Sequence, residues 1–191
     1  MKNNISFWLE YCITSTPKTY ALLEQAGYQH DWIQHGDLGG IKARIDGNFF
    51  SPDPEGAYWI AQPVWYGETP TPIHYVENPI LDDIIVWQPE QPERWYFFRG
   101  ETGLILGEQN LLYSQLTEEK ALLHRTPFEW LKAESTGAVL LDKHGLHRLL
   151  DVQEIVCMDV NYGAQIKERL NSYCLRQMPR FYVRTGQGAQ P

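Results

Sequence analysis

The sequence predicts an α+β fold of one domain: a mixed sheet holding an aromatic-rich β-hairpin at residues 83–99, helices packed on it, and an alternating α/β texture in the C-terminal half. Three observations carry that expectation. Two β-branched or aromatic runs, Asp83–Gln88 and Arg94–Arg99, flank Pro89-Glu90-Gln91-Pro92-Glu93, a segment that cannot extend a ladder. Thr-Pro occurs twice ahead of an amphipathic run, at Thr16-Pro17 and Thr126-Pro127, where the hydroxyl suits a cap and proline the first helical turn. Short apolar runs then alternate with helical spacing from Gly107 onward. With 43% apolar residues and 7 Trp, core material is ample, because one aromatic side chain buries roughly 150–250 Å².

Taken in order, Thr16 to Gly27 is a helix with Tyr20, Leu22, Leu23 and Ala26 on its apolar face. Ile41, Ala43 and Ile45 alternate with Lys42 and Arg44 as a half-buried strand does, and Asp46-Gly47-Asn48 turns the chain towards Phe49-Phe50. Tyr58 to Val64 is a further run, and Pro63, Pro70, Pro72 and Pro79 make the next segment loop or sheet edge. In the hairpin both strands are apolar on two faces, so at least one is covered on both sides. Gly107 to Leu116 and Thr126 to Leu131 read as helices, Ala138–Leu141 and Ile155–Met158 as short strands ending at Asp142 and Asp159, and Val160–Arg176 as the last helix. One globular domain spans 1–184, and 185–191 is a Gly/Gln-rich flexible tail.

The formal charge is −8, which favours solubility and disfavours broad attraction to duplex phosphates or anionic lipid. It is unevenly spread: residues 61–120 hold ten acids and three bases, residues 121–191 seven acids and nine bases. Three scattered cysteines, Cys12, Cys157 and Cys174, fit neither a disulfide framework nor a zinc ribbon and suit a reducing compartment. No signal-peptide core and no membrane-length apolar run is visible, so the cytoplasm is expected.

The stretches Asp82–Tyr96 and His124–Leu131, followed by Gly137–Asp142 and Glu154–Cys157, resemble a group of uncharacterised bacterial proteins found in proteobacterial genomes and in their prophages or other mobile elements. The resemblance spans residues 80–170 and implies no activity that can be assigned to a residue.

Candidate chemistry gathers at Asp142-Lys143-His144-Gly145-Leu146-His147, just after a strand, where ligands bind in α/β sheets. Asp142, His144 and His147 could supply three metal ligands, but the spacing matches no signature and a turn is the simpler reading. Asp142 and Asp159 both follow strands. Paired in parallel, those strands would place two carboxylates at one sheet edge for Mg²⁺, although each aspartate also serves as a helix cap. Gly36 to Lys42 lacks the strand, helix and spacing of a phosphate loop. His30 and His35 are too widely spaced for one helix face. Cys157 reads as a small buried apolar residue, and no serine elbow is present. Arg176, Arg180 and Arg184 with Phe181 and Tyr182 form a basic aromatic cluster, the type that stacks on bases of a single strand.

The leading expectation is a non-enzymatic accessory or protein-interaction protein of a bacterial mobile element or prophage. Its partner is another protein, met through aromatics among Trp59, Trp65, Tyr66 and Tyr75. The motifs leave catalysis open and weigh against it; no cofactor and no metal are implied. One alternative is a Mg-dependent nucleotide- or nucleic-acid-processing enzyme using Asp142 and Asp159 with His144. Another is a single-stranded nucleic-acid binder using Arg176, Arg180, Tyr182 and Arg184, which the net charge opposes. These readings suppose that polar groups serve caps and turns rather than converging. A deep pocket lined by three or more inward-facing ionisable side chains overturns that supposition.

Overall fold

The structure, a computed structural model, describes residues 16–28, 38–66, 80–98 and 104–178. The helix started by Thr16-Pro17 is α1 (Thr16–Gln25), and Gly27 closes it in the left-handed conformation at φ +82°. Five strands then form a closed barrel: β1 (Gly39–Asp46), β2 (Phe49–Pro52), β3 (Ala57–Tyr66), β4 (Ile80–Trp87) and β5 (Trp95–Phe97). Their order is β1-β2-β5-β4-β3, with β3 returning to β1. Every pair is antiparallel except β2 and β5, which meet in parallel at Phe49 and Phe97. The expected hairpin is β4–β5, and it lies in this mixed closed sheet.

Period-two patterning separates the two faces of the barrel wall. Ile41, Ala43, Phe50, Ala61, Ile84 and Val86 form a core built from barrel residues alone, so they fill the interior. Ile60, Val64, Ile85 and Trp87 point the other way. They pack against Leu23 of α1 and against Trp130, Leu131, Leu106 and Val139 of the C-terminal half. β4 is therefore covered on both faces, as its apolar run Ile84–Trp87 requires.

That half builds a second sheet from β6 (Ile105–Leu106), β7 (Ala121–His124), β8 (Ala138–Leu140) and β9 (Ile155–Cys157), in the order β6-β8-β7-β9. β7 runs parallel to both β8 and β9, and β6 is antiparallel to β8. Helices α2 (Glu108–Thr117), α3 (Pro127–Lys132) and α4 (Val160–Gln177) alternate with the strands, and a 3₁₀ helix spans Lys143–Leu149. The sheet face away from the barrel buries Ile105, Leu123 and Leu140 against Leu111, Leu149 and Ile166. Strands β6 and β7 are additions to the sequence reading, and β7 is an inner strand of the sheet.

The second Thr-Pro device works as expected. Thr126 Oγ1 accepts the Glu129 amide at 3.1 Å, while Glu129 Oε2 accepts the Arg125 amide at 2.9 Å. After α3 the chain passes through three left-handed residues, Glu134, Ser135 and Gly137. The Gly137 carbonyl accepts both Asn110 Nδ2 at 2.7 Å and Trp130 Nε1 at 2.9 Å, so one peptide joins α2 and α3 to the start of β8.

Of the Gly36–Lys42 stretch, Gly39 and Gly40 open β1, while Gly36 and Asp37 lie outside the described residues. A Cβ on Gly40 would collide with the hydroxyls of Tyr58 and Thr19, which accounts for glycine there. Among the described residues no helix is long and apolar enough to cross a membrane. Cys12, His30, His35, Tyr75, Arg180, Phe181, Tyr182, Arg184 and the 185–191 tail lie outside the described residues.

Candidate functional site

Two aspartates end short strands, and each is used first as a cap. Asp142 Oδ1 accepts the His144 amide at 2.8 Å and starts the 3₁₀ helix. Asp159 Oδ1 accepts the Tyr162 amide at 2.9 Å and starts α4. Their strands do not pair with each other: β7 lies between β8 and β9, parallel to both. Both aspartates follow the same end of the sheet, but the strands that carry them are two strand spacings apart, roughly 10 Å. Arg125, just beyond β7, is paired with Asp159 at 3.7 Å and with Glu93 at 3.5 Å. The direct pairing that a shared Mg²⁺ would need is thus replaced by an intervening strand and its guanidinium.

The histidines do not complete a metal set either. His144 Nε2 stands 3.9 Å from Asp142 Oδ1, but His147 Nδ1 turns back to the His144 carbonyl at 2.6 Å. Among the described residues no three His, Cys, Asp or Glu side chains gather as metal ligands would. Half-buried Cys157 has its thiol pushed up by burial and then by Asp159, which keeps it a thiol and a poor nucleophile.

Polar side chains nevertheless converge where α4 packs beside the 3₁₀ helix. A groove of 870 Å³ runs along α4, lined among others by Lys143, His144, Glu168, Arg169, Tyr173 and Arg176. It adjoins a cleft of 260 Å³ at the carboxyl ends of β7 and β8, with Trp95, Arg125, Asp142 and Tyr162 on its walls. Lys143, Gln165 and Arg169 line both. Helical spacing explains the α4 contribution: Gln165, Arg169, Ser172 and Arg176 recur at three or four residues and share a face. The groove is open and its Lys143, His144, Glu168, Arg169 and Arg176 side chains are exposed, so it is not the deep pocket of inward-facing groups that would overturn the supposition that ionisable groups do not converge. The groove holds His144 and Arg176 and the adjoining cleft holds Asp142, all three noted from the sequence; Arg125 in the cleft and Arg169 in both are marked by no motif.

Of the four aromatic residues expected to meet a partner, the three described ones, Trp59, Trp65 and Tyr66, are engaged within the chain. Trp59 stacks edge-on against Tyr96 at 5.4 Å. Half-buried Trp65 packs on the barrel core. The half-buried Tyr66 ring lies under the Arg148 guanidinium at 5.5 Å. Trp65 and Tyr66 sit on β3, whose two faces are both occupied, so they make no open patch.

Open apolar surface lies at β9 instead. β9 ends the sheet, with β7 on one side and no strand on the other among the described residues. Met158 is 81% exposed, Val160 84% and Leu150 47%. Beside them a groove of 660 Å³ is floored by Ile155, Cys157, Ile166 and Leu170.

A third cluster surrounds Glu108 in the first turn of α2, whose side chain is nearly buried and lies 3.1 Å from Arg148 Nε. Burial pushes its carboxyl up, Arg148 pulls it down, Asp82 raises it and His147 lowers it, with the net upward. A raised folded-state value means that Glu108 contributes most stability below the unfolded carboxyl value of about 4.3 and loses it as pH rises through the folded value. Thermal melts of Glu108→Gln should therefore move in the variant's favour as pH climbs from about 4 to 7. A constant difference across that window would rule out this linkage.

No protein-family model, no curated protein sequence and no solved structure matches this chain.

Proposed function

We propose that this protein is a non-enzymatic accessory protein, of the kind bacterial mobile elements and prophages carry, that binds another protein along the open edge of β9. The observation that carries this reading is the exposure of Met158 and Val160 beside an unpaired strand. Natural proteins blunt sheet edges with charge, proline or a covering element. Here the edge is flanked by large apolar side chains and an apolar groove. An extended segment of a partner can add a strand there and seat alternate side chains in the groove. The occupant is an apolar extended segment of a different protein. A net charge of −8 disfavours a second copy as the occupant. The mobile-element origin rests on the resemblance of Asp82–Tyr96 and His124–Leu131, and it is checked by whether the gene lies within such an element in its host.

The test is a Met158→Asp/Val160→Asp variant. Both sites are solvent-exposed, and aspartate at the first position of α4 suits the helix dipole, so the fold is kept. A partner captured from the host and then purified should bind the variant at least ten-fold more weakly, about 1.4 kcal/mol. In the wild type it should shield the Ile155–Cys157 amides from hydrogen exchange. Equal binding, or amides that stay open in the complex, would end the proposal. So would a wild-type homodimer that the variant dissolves, since the occupant would then be a second copy.

A further inference from the structure

We propose that the cleft at the carboxyl ends of β7 and β8 binds the phosphate of a nucleoside monophosphate or similarly sized phosphate monoester, with the organic part lying in the groove along α4. The charges are the first reason. Lys143 and Arg169 line both the cleft and the groove and have no ion-pair partner among the described residues. The third cation, Arg125, is already balanced between Glu93 and Asp159. Of the cleft's carboxylates, Glu93 is thus held by Arg125, and Asp142 is occupied by the His144 amide. The lining of the cleft thus holds three cations against the carboxylates of Glu93 and Asp142, an excess of one positive charge, and the two cations with no ion pair face the roughly −1.5 to −2 charge of a phosphate monoester at neutral pH. An arginine fork can take two phosphate oxygens at once, and a lysine adds a movable point charge.

The walls are the second reason. Tyr162 is buried one turn into α4 and faces the cleft. Burial raises its phenol further than the nearby Arg169 lowers it, so the group stays an O–H donor. Gln165 adds an amide. Trp95 is fixed by its Nε1 donating to the Leu141 carbonyl at 3.1 Å and forms a rigid side wall. Position agrees with this, because ligands in parallel α/β sheets sit outside the carboxyl ends of the strands.

Size is the third reason. At 260 Å³ the cleft is below the roughly 300–1,000 Å³ of sites that enclose a drug-sized ligand, so it suits a head group. The adjoining 870 Å³ groove supplies the rest, with the Tyr173 ring for a flat base and Glu168 for hydroxyl groups.

Calorimetric titration of the full chain with adenosine 5′-monophosphate, inorganic phosphate and adenosine tests the assignment. Saturable binding of the monophosphate is expected, with inorganic phosphate weaker and adenosine weaker still. Arg169→Gln and Lys143→Gln should each weaken the monophosphate at least ten-fold. Both side chains are exposed, so unchanged thermal melts would confirm that the fold survives. No saturable heat at millimolar monophosphate overturns the proposal, as does an affinity that both variants retain. Equal affinity for monophosphate and inorganic phosphate would remove the groove from the site. Binding of a single-stranded oligonucleotide without the monophosphate would replace the ligand class. The β9 edge is untouched by these variants, so the two proposals can fail separately.

Discussion

Replacing Trp87 with alanine is expected to cost about 3–5 kcal/mol of folding stability, the range for removing a buried aromatic ring. Trp87 is 0% exposed and lies on the outer face of β4, where the barrel meets the second sheet. Its ring contacts Phe128, centroid to centroid, at 6.1 Å, so the cavity would open at the junction of the two halves. There is also a polar cost. Trp87 Nε1 donates to Gln62 Oε1 at 3.1 Å. Gln62 is itself buried, and its Nε2 has no hydrogen-bond partner among the described residues. Trp87→Ala would leave that amide with neither end paired, a penalty of about 1–3 kcal/mol for a buried group, which puts the expected loss towards the top of the range. For a chain of this size the melting temperature should fall by roughly 6–20 °C. A fall of only a degree or two would mean that the barrel and the second sheet do not share a core.

The second large effect is expected at Gly137. Alanine there must adopt φ +73°, which costs an L-residue roughly 1–2 kcal/mol. Its Cβ would also stand 2.6 Å from the Leu122 carbonyl and 2.7 Å from Leu122 Cβ. These atoms belong to the inner strand β7 and cannot rotate away. The backbone must shift instead, and the Gly137 carbonyl that holds Asn110 and Trp130 shifts with it. We expect Gly137→Ala to lose about 3 kcal/mol or more, among the larger effects of single substitutions. Gly47→Ala is the matched control: it sits at φ +60° with nothing within 4 Å of the added carbon, so it carries the strain without the collision. Denaturant titrations of the two variants that agreed within error would remove the collision from the explanation.

What the sequence disclosed, it disclosed through local chemistry. The β4–β5 hairpin announced itself by two apolar runs around Pro89 to Glu93. Both Thr-Pro pairs started helices, and Asp142 and Asp159 proved to be caps. Strand β7 was missed because Ala121-Leu122-Leu123-His124 is too short to show a period, and an apolar run of that length reads equally as buried helix. The barrel was hidden for a different reason. Its closure depends on Phe49 meeting Phe97, and no local pattern encodes that pairing. The groove and its adjoining cleft were half legible: Asp142, Lys143 and His144 stand in one stretch after a strand, but Arg169 shares no motif with them and meets them only because α4 returns alongside the 3₁₀ helix. Met158 and Val160 read locally as core-type residues flanking a strand, and only the strand order shows that they stand at the sheet's outer limit.

The barrel is shut by a single rung between β2 and β5. A growing chain can lay β1 against β2 and β3, and β4 against β3, but the last seam waits for residue 97. Until then β2 and β4 each present one row of unsatisfied backbone groups, the surface from which unwanted pairing with neighbouring chains begins. The cylinder therefore has no closed wall without its final stave, and β5 is the strand on which closure depends.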